Sequence, residues 1–367
     1  MVYVVFGAAT VAVFFVGPRL ARVVETIADR LGIGQVLVGA VLLGVVTSLP
    51  GLVLTVTAAA RGEAELAVAN ALGGVAAQTF FIAIADIVYR TGTLASGVPT
   101  RQVSFQAAFL LLMLSLVVIA LGSADAVVVG VHPITPVIVV AYLVGLSLSR
   151  RVDQQGVVEL AGVGAPTGEA EDADDIDHAD DTDDSEGARG GLRGKMGELE
   201  EQPSERVRRL ESAPMASLWA RFGVFATVLA ASGFALAWAG SSIAERTALS
   251  ATSVGVLLTA VSTSTPELVT AVSAARSGAI GLAAGDIIGG NVFDTLFVAA
   301  ADLVGPGSIF EQAGESALLL AGLAMLLNAL LLAGLVRQGS GTRNVDFESL
   351  AIAGIWCLGV AALVIRA

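Results

Sequence analysis

Glu267 stands in the middle of an apolar run, LLTAVSTSTPELVTAVSAA (Leu257–Ala275), directly after Thr263, Ser264, Thr265 and Pro266. A carboxylate near the centre of a bilayer costs several kcal/mol unless it is paired, protonated or bound to a metal. Asp294, 27 residues later in the next apolar run, can face it at similar depth, and no Lys or Arg falls in the central part of either run. The partner of this pair has to come from solution. Carboxylates, hydroxyls and carbonyls form an oxygen-only donor set, suited to Ca²⁺ with its roughly 6–8 oxygen ligands or to several Na⁺ ions sharing the same atoms. The chain has two histidines and one cysteine, too few and too scattered to favour a soft metal.

The first half of the chain carries a related step, Thr47, Ser48 and Pro50. Proline lacks a backbone donor and frees a carbonyl one turn earlier, near Gly44 or Val46 in one case and Ala260 or Ser262 in the other. The helix after each step contains a double glycine, Gly73–Gly74 and Gly289–Gly290, expected to break that helix as well. Open carbonyls persist at membrane depth only where they line a cavity or bind something. Thr, Ser and Gly can also serve helix packing alone, so it is Glu267 that tips the balance toward an ion.

The elements that position these residues follow from composition. The chain of 367 residues is 55% hydrophobic and 14% charged, with a mean hydropathy of +0.80, which excludes an ordinary soluble domain. Ten apolar runs, at approximately 2–21, 33–60, 64–89, 105–122, 126–148, 217–240, 250–276, 279–304, 316–336 and 348–366, are each long enough to cross about 30 Å of hydrocarbon as a helix. They are continuous rather than alternating, which argues against a barrel. No basic residue precedes Arg19, so the first run is a spanning helix rather than a cleaved signal. Cys357, within the last run, is expected to be a packed, inert thiol. His132 is placed at a helix end and His178 in an acidic loop, neither as part of a site.

Of the 33 acidic residues, 18 fall between Asp153 and Glu211, so the formal charge of −13 belongs mainly to one linker. Its centre, EAEDADDIDHADDTDDSEG, has too little apolar content to fold and lacks the spacing of a calcium-binding EF-hand loop. The expected organisation is a first five-helix unit at 1–149, an acidic disordered linker at 150–215, and a second five-helix unit at 216–367.

Sliding the chain over itself by 216 residues pairs Val38–Val88 with Val254–Val304 without a gap, with 23 identities in 51 positions. This is an internal repeat. Five spans in each half force the halves to insert in opposite orientations, the inverted plan of secondary transporters. With the N-terminus outside, Arg19, Arg22, Arg30, Arg90, Arg101, Arg150, Arg151, Arg276, Arg337 and Arg343 face the cytoplasm, while Arg61, Arg246 and Arg366 face out. Trp219 and Trp238 bracket the sixth span as interfacial anchors.

The paired motifs resemble the cation/calcium exchanger superfamily, whose two repeats follow G-T-S-x-P-E and G-[ND]-x-x-G-S-N-x-x-[ND]. The second repeat here is STSTPE with GDIIGGNVFD, the first VTSLPG with ANALGGVAAQ. The resemblance implies an all-α membrane protein of ten transmembrane helices in two inverted five-helix repeats, working by alternating access as the first and sixth helices slide over a more fixed group. It further implies ion ligation by Thr263, Ser264, Glu267 and Asp294 with the Ala260 carbonyl, and by Thr47 and Ser48 with the Gly44 carbonyl. Three departures stand out: Gly51 at the first-repeat glutamate position, Gln78 at its Asn/Asp position, and Gly74 and Gly290 where the pattern has serine. One carboxylate and two hydroxyls are missing, which unsettles a three-for-one Na⁺/Ca²⁺ stoichiometry. Asp86, Asp286 and Asp302 each lie eight residues from Gln78 or Asp294, about 12 Å along a helix, and so are expected on a pathway or at helix ends rather than as direct ligands.

The expected function is antiport of Na⁺ and Ca²⁺ at the bilayer midplane, not an enzymatic activity, in the plasma membrane with the linker cytoplasmic. Expected partners are the lipid bilayer and small inorganic cations, not nucleic acid, and no cofactor beyond the transported Ca²⁺ and Na⁺. Coupling to H⁺ or a monovalent cation on the same fold, and a transport-dead sensor, are the alternatives. An intramembrane aspartyl protease is disfavoured, since LAAGD lacks the first glycine of G-x-G-D and no Tyr-Asp step exists.

Overall fold

The computed structural model describes residues 1–31, 44–89, 100–163, 212–276, 280–337 and 347–366. Their regular elements are all helices, with no β-strand among the described residues. In chain order they form α1 (Val2–Leu31), α2 (Gly44–Thr47), α3 (Leu49–Ala60), α4 (Ala64–Val88), α5 (Thr100–Gly122), α6 (Ile134–Val163), α7 (Met215–Arg246), α8 (Ala251–Val254), a π-helical turn (Gly255–Ala260), α9 (Val261–Thr263), α10 (Thr265–Arg276), α11 (Ile280–Val304), α12 (Ile309–Gln312), α13 (Glu315–Arg337) and α14 (Phe347–Arg366). Seven of the helices are long and apolar enough to cross a membrane, eight when the bent pair Ala251–Thr263 and Thr265–Arg276 counts as one span. Leu49–Ala60 and Ile134–Ser149 are shorter apolar helices. Large apolar side chains such as Val11, Phe15, Leu112, Val140 and Phe234 cover the outside, where a bilayer rather than water is their solvent.

Three expectations about individual elements change. The span expected to start at 126 starts at Ile134, because residues 123–131 reverse the chain through a Val128–Val131 bridge with Val129 and Gly130 at φ 54° and 81°. Gly130 takes that left-handed conformation without steric cost, and Pro133 can enter a helix only at its start. The same helix then runs on to Val163, so the first residues assigned to the linker extend it; no proline interrupts Val137–Val163. The acidic centre of the linker and His178 lie outside the described residues, as does 32–43 of the second apolar run. Finally, Cys357 is exposed, not packed. The buried stripe of α14 is Ser349, Ile352, Val360 and Leu363, and helical spacing turns Cys357 away from it, toward lipid.

α4 and α11 form the centre of the bundle: 78% and 72% of their apolar stretches are buried, against 22% in α14. They pack on each other, each with α3 and α10 against it, and α5 and α13 back them. α1 and α7 pair on the outer side, α7 against α3 and α1 against α10. Residues 216 apart make matching contacts. Gly17 packs on Pro266 and Gly233 on Pro50, so a glycine of each outer helix sits on the proline of the opposite step.

A Cβ at Gly233 would fall 2.4 Å from the Pro50 carbonyl oxygen, whereas one at Gly7 would meet nothing within 4 Å. Gly233→Ala is therefore expected to strain the α7–α3 contact by about 1–3 kcal/mol. The measurement is the melting temperature of the purified protein, lowered for Gly233→Ala and unchanged for Gly7→Ala.

Asp302, buried near the end of α11, accepts four hydrogen bonds. Its Oδ2 takes the His132 amide at 2.9 Å and the Thr135 hydroxyl at 2.5 Å; its Oδ1 takes the Ser308 hydroxyl at 2.6 Å and the Ile309 amide at 3.0 Å. It thus ties the starts of α6 and α12 to α11. Asp86, its counterpart on α4, accepts from Ser349 of α14 at 2.7 Å. Both are helix-end braces between halves.

Candidate cation site

Each Thr-Ser-x-Pro step breaks its helix at the serine. Ser48 separates α2 from α3, and Ser264 separates α9 from α10 with a bend of 51°. Pro50 and Pro266 fall in the first turns of α3 and α10, where a missing N–H has no intrahelical partner to lose. Glu267 also lies in the first turn of α10, where the helix dipole favours a negative charge.

Three of the four carbonyls expected to be open are taken. Gly44 O accepts from Ser48 N at 3.0 Å and the Thr47 hydroxyl at 3.3 Å, and Ala260 O from Ser264 N and the Thr263 hydroxyl, both at 3.1 Å. Ser262 O, the carbonyl that Pro266 cannot serve, takes the Thr265 hydroxyl at 2.9 Å. There a hydroxyl has replaced the missing amide, a local repair open to Ser and Thr.

Nor do the double glycines break their helices: α4 and α11 run unbroken through Gly73–Gly74 and Gly289–Gly290. A glycine in a helix costs only about 1 kcal/mol against alanine, which packing readily offsets. Their role is close approach. A Cβ on Gly73 would stand 3.2 Å from Val256 Cα, and one on Gly44 3.3 Å from Gly290 Cα, so the broken segments lie backbone to backbone against the central helices.

Between these segments is a cavity of about 10 Å³. Six of the nine sequence-predicted residues line it: Ser48, Gln78, Thr263, Ser264, Glu267 and Asp294. Thr47, Gly44 and Ala260 do not line it. The Ser48 hydroxyl lies 3.5 Å from Glu267 Oε1, and the Gln78 amide nitrogen donates to Asp294 Oδ2 at 2.7 Å and to Ser264 Oγ at 3.3 Å. Glu267 and Asp294 are each 3% exposed. Glu267 Oε2, Asp294 Oδ1 and Gln78 Oε1 have no hydrogen-bond partner. No Lys or Arg is buried among the described residues. No group of three or more His, Cys, Asp or Glu side chains gathers among the described residues either, so hydroxyl and amide oxygens must supply the remaining donors. The arrangement can desolvate and hold a hard cation, and it leaves two carboxylates uncompensated without one.

Three lining residues, Asn70, Ala71 and Phe297, escaped the sequence reading. Asn70 donates to the Gly51 carbonyl at 3.2 Å and to Thr55 Oγ1 at 2.9 Å, and its oxygen accepts from Thr263 at 3.5 Å. Its signal was present, since it is the Asn of ANALGG. Phe297 gave no signal, being one apolar residue in an apolar helix. Asp286, Asn70's counterpart in the second half, lies off the cavity with the Thr270 hydroxyl 3.5 Å away, consistent with its distance from Asp294 along α11.

The side chain missing at Gly51 has been replaced by carbon. A Cβ there would be 3.2 Å from Phe297 Cε2, so the ring fills the corner that a glutamate would enter. Gly51→Glu alone is expected to lower thermal stability by several degrees, because a buried carboxylate is forced against an aromatic ring. Adding Phe297→Ala is expected to recover part of the loss when Ca²⁺ is present, which thermal melts of both variants with and without Ca²⁺ would show.

Known proteins agree with this architecture. The model of the sodium/calcium exchanger protein family matches residues 1–148 and 217–365, both halves of the chain. No curated protein matches it. Among solved structures, the sodium-calcium exchanger NCX_Mj soaked with 100 mM Na⁺ and 10 mM Sr²⁺ is similar with a TM-score of 0.59 at 16% identity, over 99% of both chains. The same exchanger soaked with 2.5 mM Na⁺ and 0.1 mM Ca²⁺ gives 0.58 at 14% identity, over 99% of this chain and 98% of that one. Native YfkE gives 0.53 at 13% identity, over 98% and 92%. At such identities the structural likeness speaks for the fold, while the family match spans both halves and both broken-helix steps: the chain belongs to the sodium/calcium exchanger family.

Proposed function

We propose that this membrane protein is a secondary-active antiporter that exchanges Na⁺ for Ca²⁺ by alternating access. Its ion site is the cavity around Glu267 and Asp294, with Ser48, Gln78, Thr263 and Ser264 as further donors and the Thr47, Gly44 and Ala260 positions supporting them. One observation carries the proposal: two buried carboxylates from neighbouring helices face one small cavity with unpartnered oxygens and, among the described residues, no buried basic residue. The topology proposed with it is ten spans in two inverted five-helix units, 1–149 and 216–367, joined by a cytoplasmic linker at 150–215. The N-terminus is outside and the host membrane is the plasma membrane. The paired outer helices α1 and α7 are the natural sliding element, since they rest on the two proline steps through Gly17 and Gly233.

Coupling to H⁺ instead of Na⁺ is favoured by one feature, the loss of a carboxylate at Gly51. Uptake of ⁴⁵Ca²⁺ into vesicles containing the purified protein separates the two: uptake driven by an imposed Na⁺ gradient supports Na⁺ coupling, and uptake driven only by a pH gradient supports H⁺ coupling. Uptake in neither case, with intact Ca²⁺ binding, would point to a sensor.

A further inference from the structure

Resting on the antiporter proposal, we infer that the site moves two positive charges each way, one divalent cation against two monovalent ones, because Gln78 and Phe297 occupy the places that further ions would need. Among the described residues, the ionisable side chains lining the cavity are Glu267 and Asp294, a formal charge of −2. No buried Lys or Arg among the described residues offsets them. A load of two positive charges neutralises the cavity; three would leave one positive charge, and one would leave a negative charge, without a partner in the least solvated part of the protein.

Gln78 removes one ion position directly. Its amide nitrogen bridges Asp294 Oδ2 and Ser264 Oγ, two oxygens a cation would otherwise bind, and so acts as a tethered donor between them. The opposite amide orientation would set two acceptors 2.7 Å apart, so the nitrogen belongs on that side. Phe297 removes a second position. Its ring lies against the backbone at Gly51 and offers carbon where a third carboxylate would offer oxygen. The free donors left are Glu267 Oε2, Asp294 Oδ1 and Gln78 Oε1. Asp286 does not add to the count, being outside the cavity lining.

The consequence is electroneutral exchange. With two monovalent ions per Ca²⁺, the Ca²⁺ ratio at equilibrium follows the square of the monovalent ratio and ignores membrane potential. With three it follows the cube and shifts about tenfold for each ~59 mV. The test uses full-length protein in vesicles, a roughly tenfold gradient of whichever monovalent ion drives uptake, and potential clamped with K⁺ and valinomycin. The expected result is accumulation of ⁴⁵Ca²⁺ of about 100-fold, equal at zero and at about 59 mV. A plateau that moves about tenfold between the two potentials overturns the inference. Gln78→Asp, which adds a carboxylate in place of the tethered donor, is expected to make the plateau potential-dependent; a plateau still indifferent to potential overturns the role given to Gln78. Absence of uptake in any gradient defeats the antiporter proposal itself. Competition of Na⁺ against ⁴⁵Ca²⁺ on the solubilised protein then still decides the charge count: a Hill coefficient of about two supports it and about three overturns it.

Discussion

Glu267→Gln is expected to reduce Ca²⁺ transport by at least about two orders of magnitude while leaving the fold intact. A unit charge about 4 Å from another is worth roughly 4 kcal/mol at the effective dielectric of a partly solvated site, and twice that for a divalent ion, of which desolvation returns a part. Even a net loss of about 3 kcal/mol is more than a hundredfold in affinity. Glutamine preserves the shape and one acceptor, so the change isolates charge. Without ions the variant should melt no lower than the wild type, because a buried carboxylate without a buried basic partner has been removed. Ca²⁺ should raise the melting temperature of the wild type, since it binds only the folded state, and should not do so for the variant. Normal ⁴⁵Ca²⁺ uptake by Glu267→Gln would remove Glu267 from the site.

The largest effect on stability is expected at Asp302, away from the cavity. Asp302→Ala leaves two backbone amides, at His132 and Ile309, and two hydroxyls, at Thr135 and Ser308, without their acceptor in a buried environment. Hydrogen bonds to a charged group contribute about 1.5–3 kcal/mol each and are not additive, so a loss of about 3–5 kcal/mol is the reasonable scale. Thermal denaturation in detergent should show it as a drop of many degrees. Asp302→Asn keeps one acceptor oxygen and should fall in between. Ca²⁺ affinity of the protein that remains folded should be close to wild type, because Asp302 does not line the cavity. A melting temperature unmoved by Asp302→Ala would refute the brace; a selective loss of Ca²⁺ affinity would make Asp302 part of the ion path instead.

Much of this protein is written locally. An apolar run favours a helix because a bilayer tolerates few other ways of satisfying a backbone, so residues such as Ala64–Val88 and Glu315–Arg337 could be placed from hydropathy alone. The 216-residue repeat placed the two Thr-Ser-x-Pro steps in matching runs, and both break their helices at the serine. The meeting of Glu267 and Asp294 was legible too, because an unpaired charge in an apolar run demands a partner and only one other run supplied an acid at similar depth.

Tertiary packing decided the rest. Sequence marked Gly73–Gly74 as a break, yet α4 runs unbroken through them and Gly73 lets the π-helical turn come close. It marked the Gly44 and Ala260 carbonyls as open, but neighbouring amides and hydroxyls take them. Cys357 turned to lipid because α14 buries another face. Phe297 against Gly51, Gln78 across to Asp294, and Asp302 reaching His132 join residues far apart in the chain. Period and polarity act over a few residues and are visible in any stretch of sequence; which oxygen is left over in a cavity depends on how several helices come together, and that is settled only when they have packed.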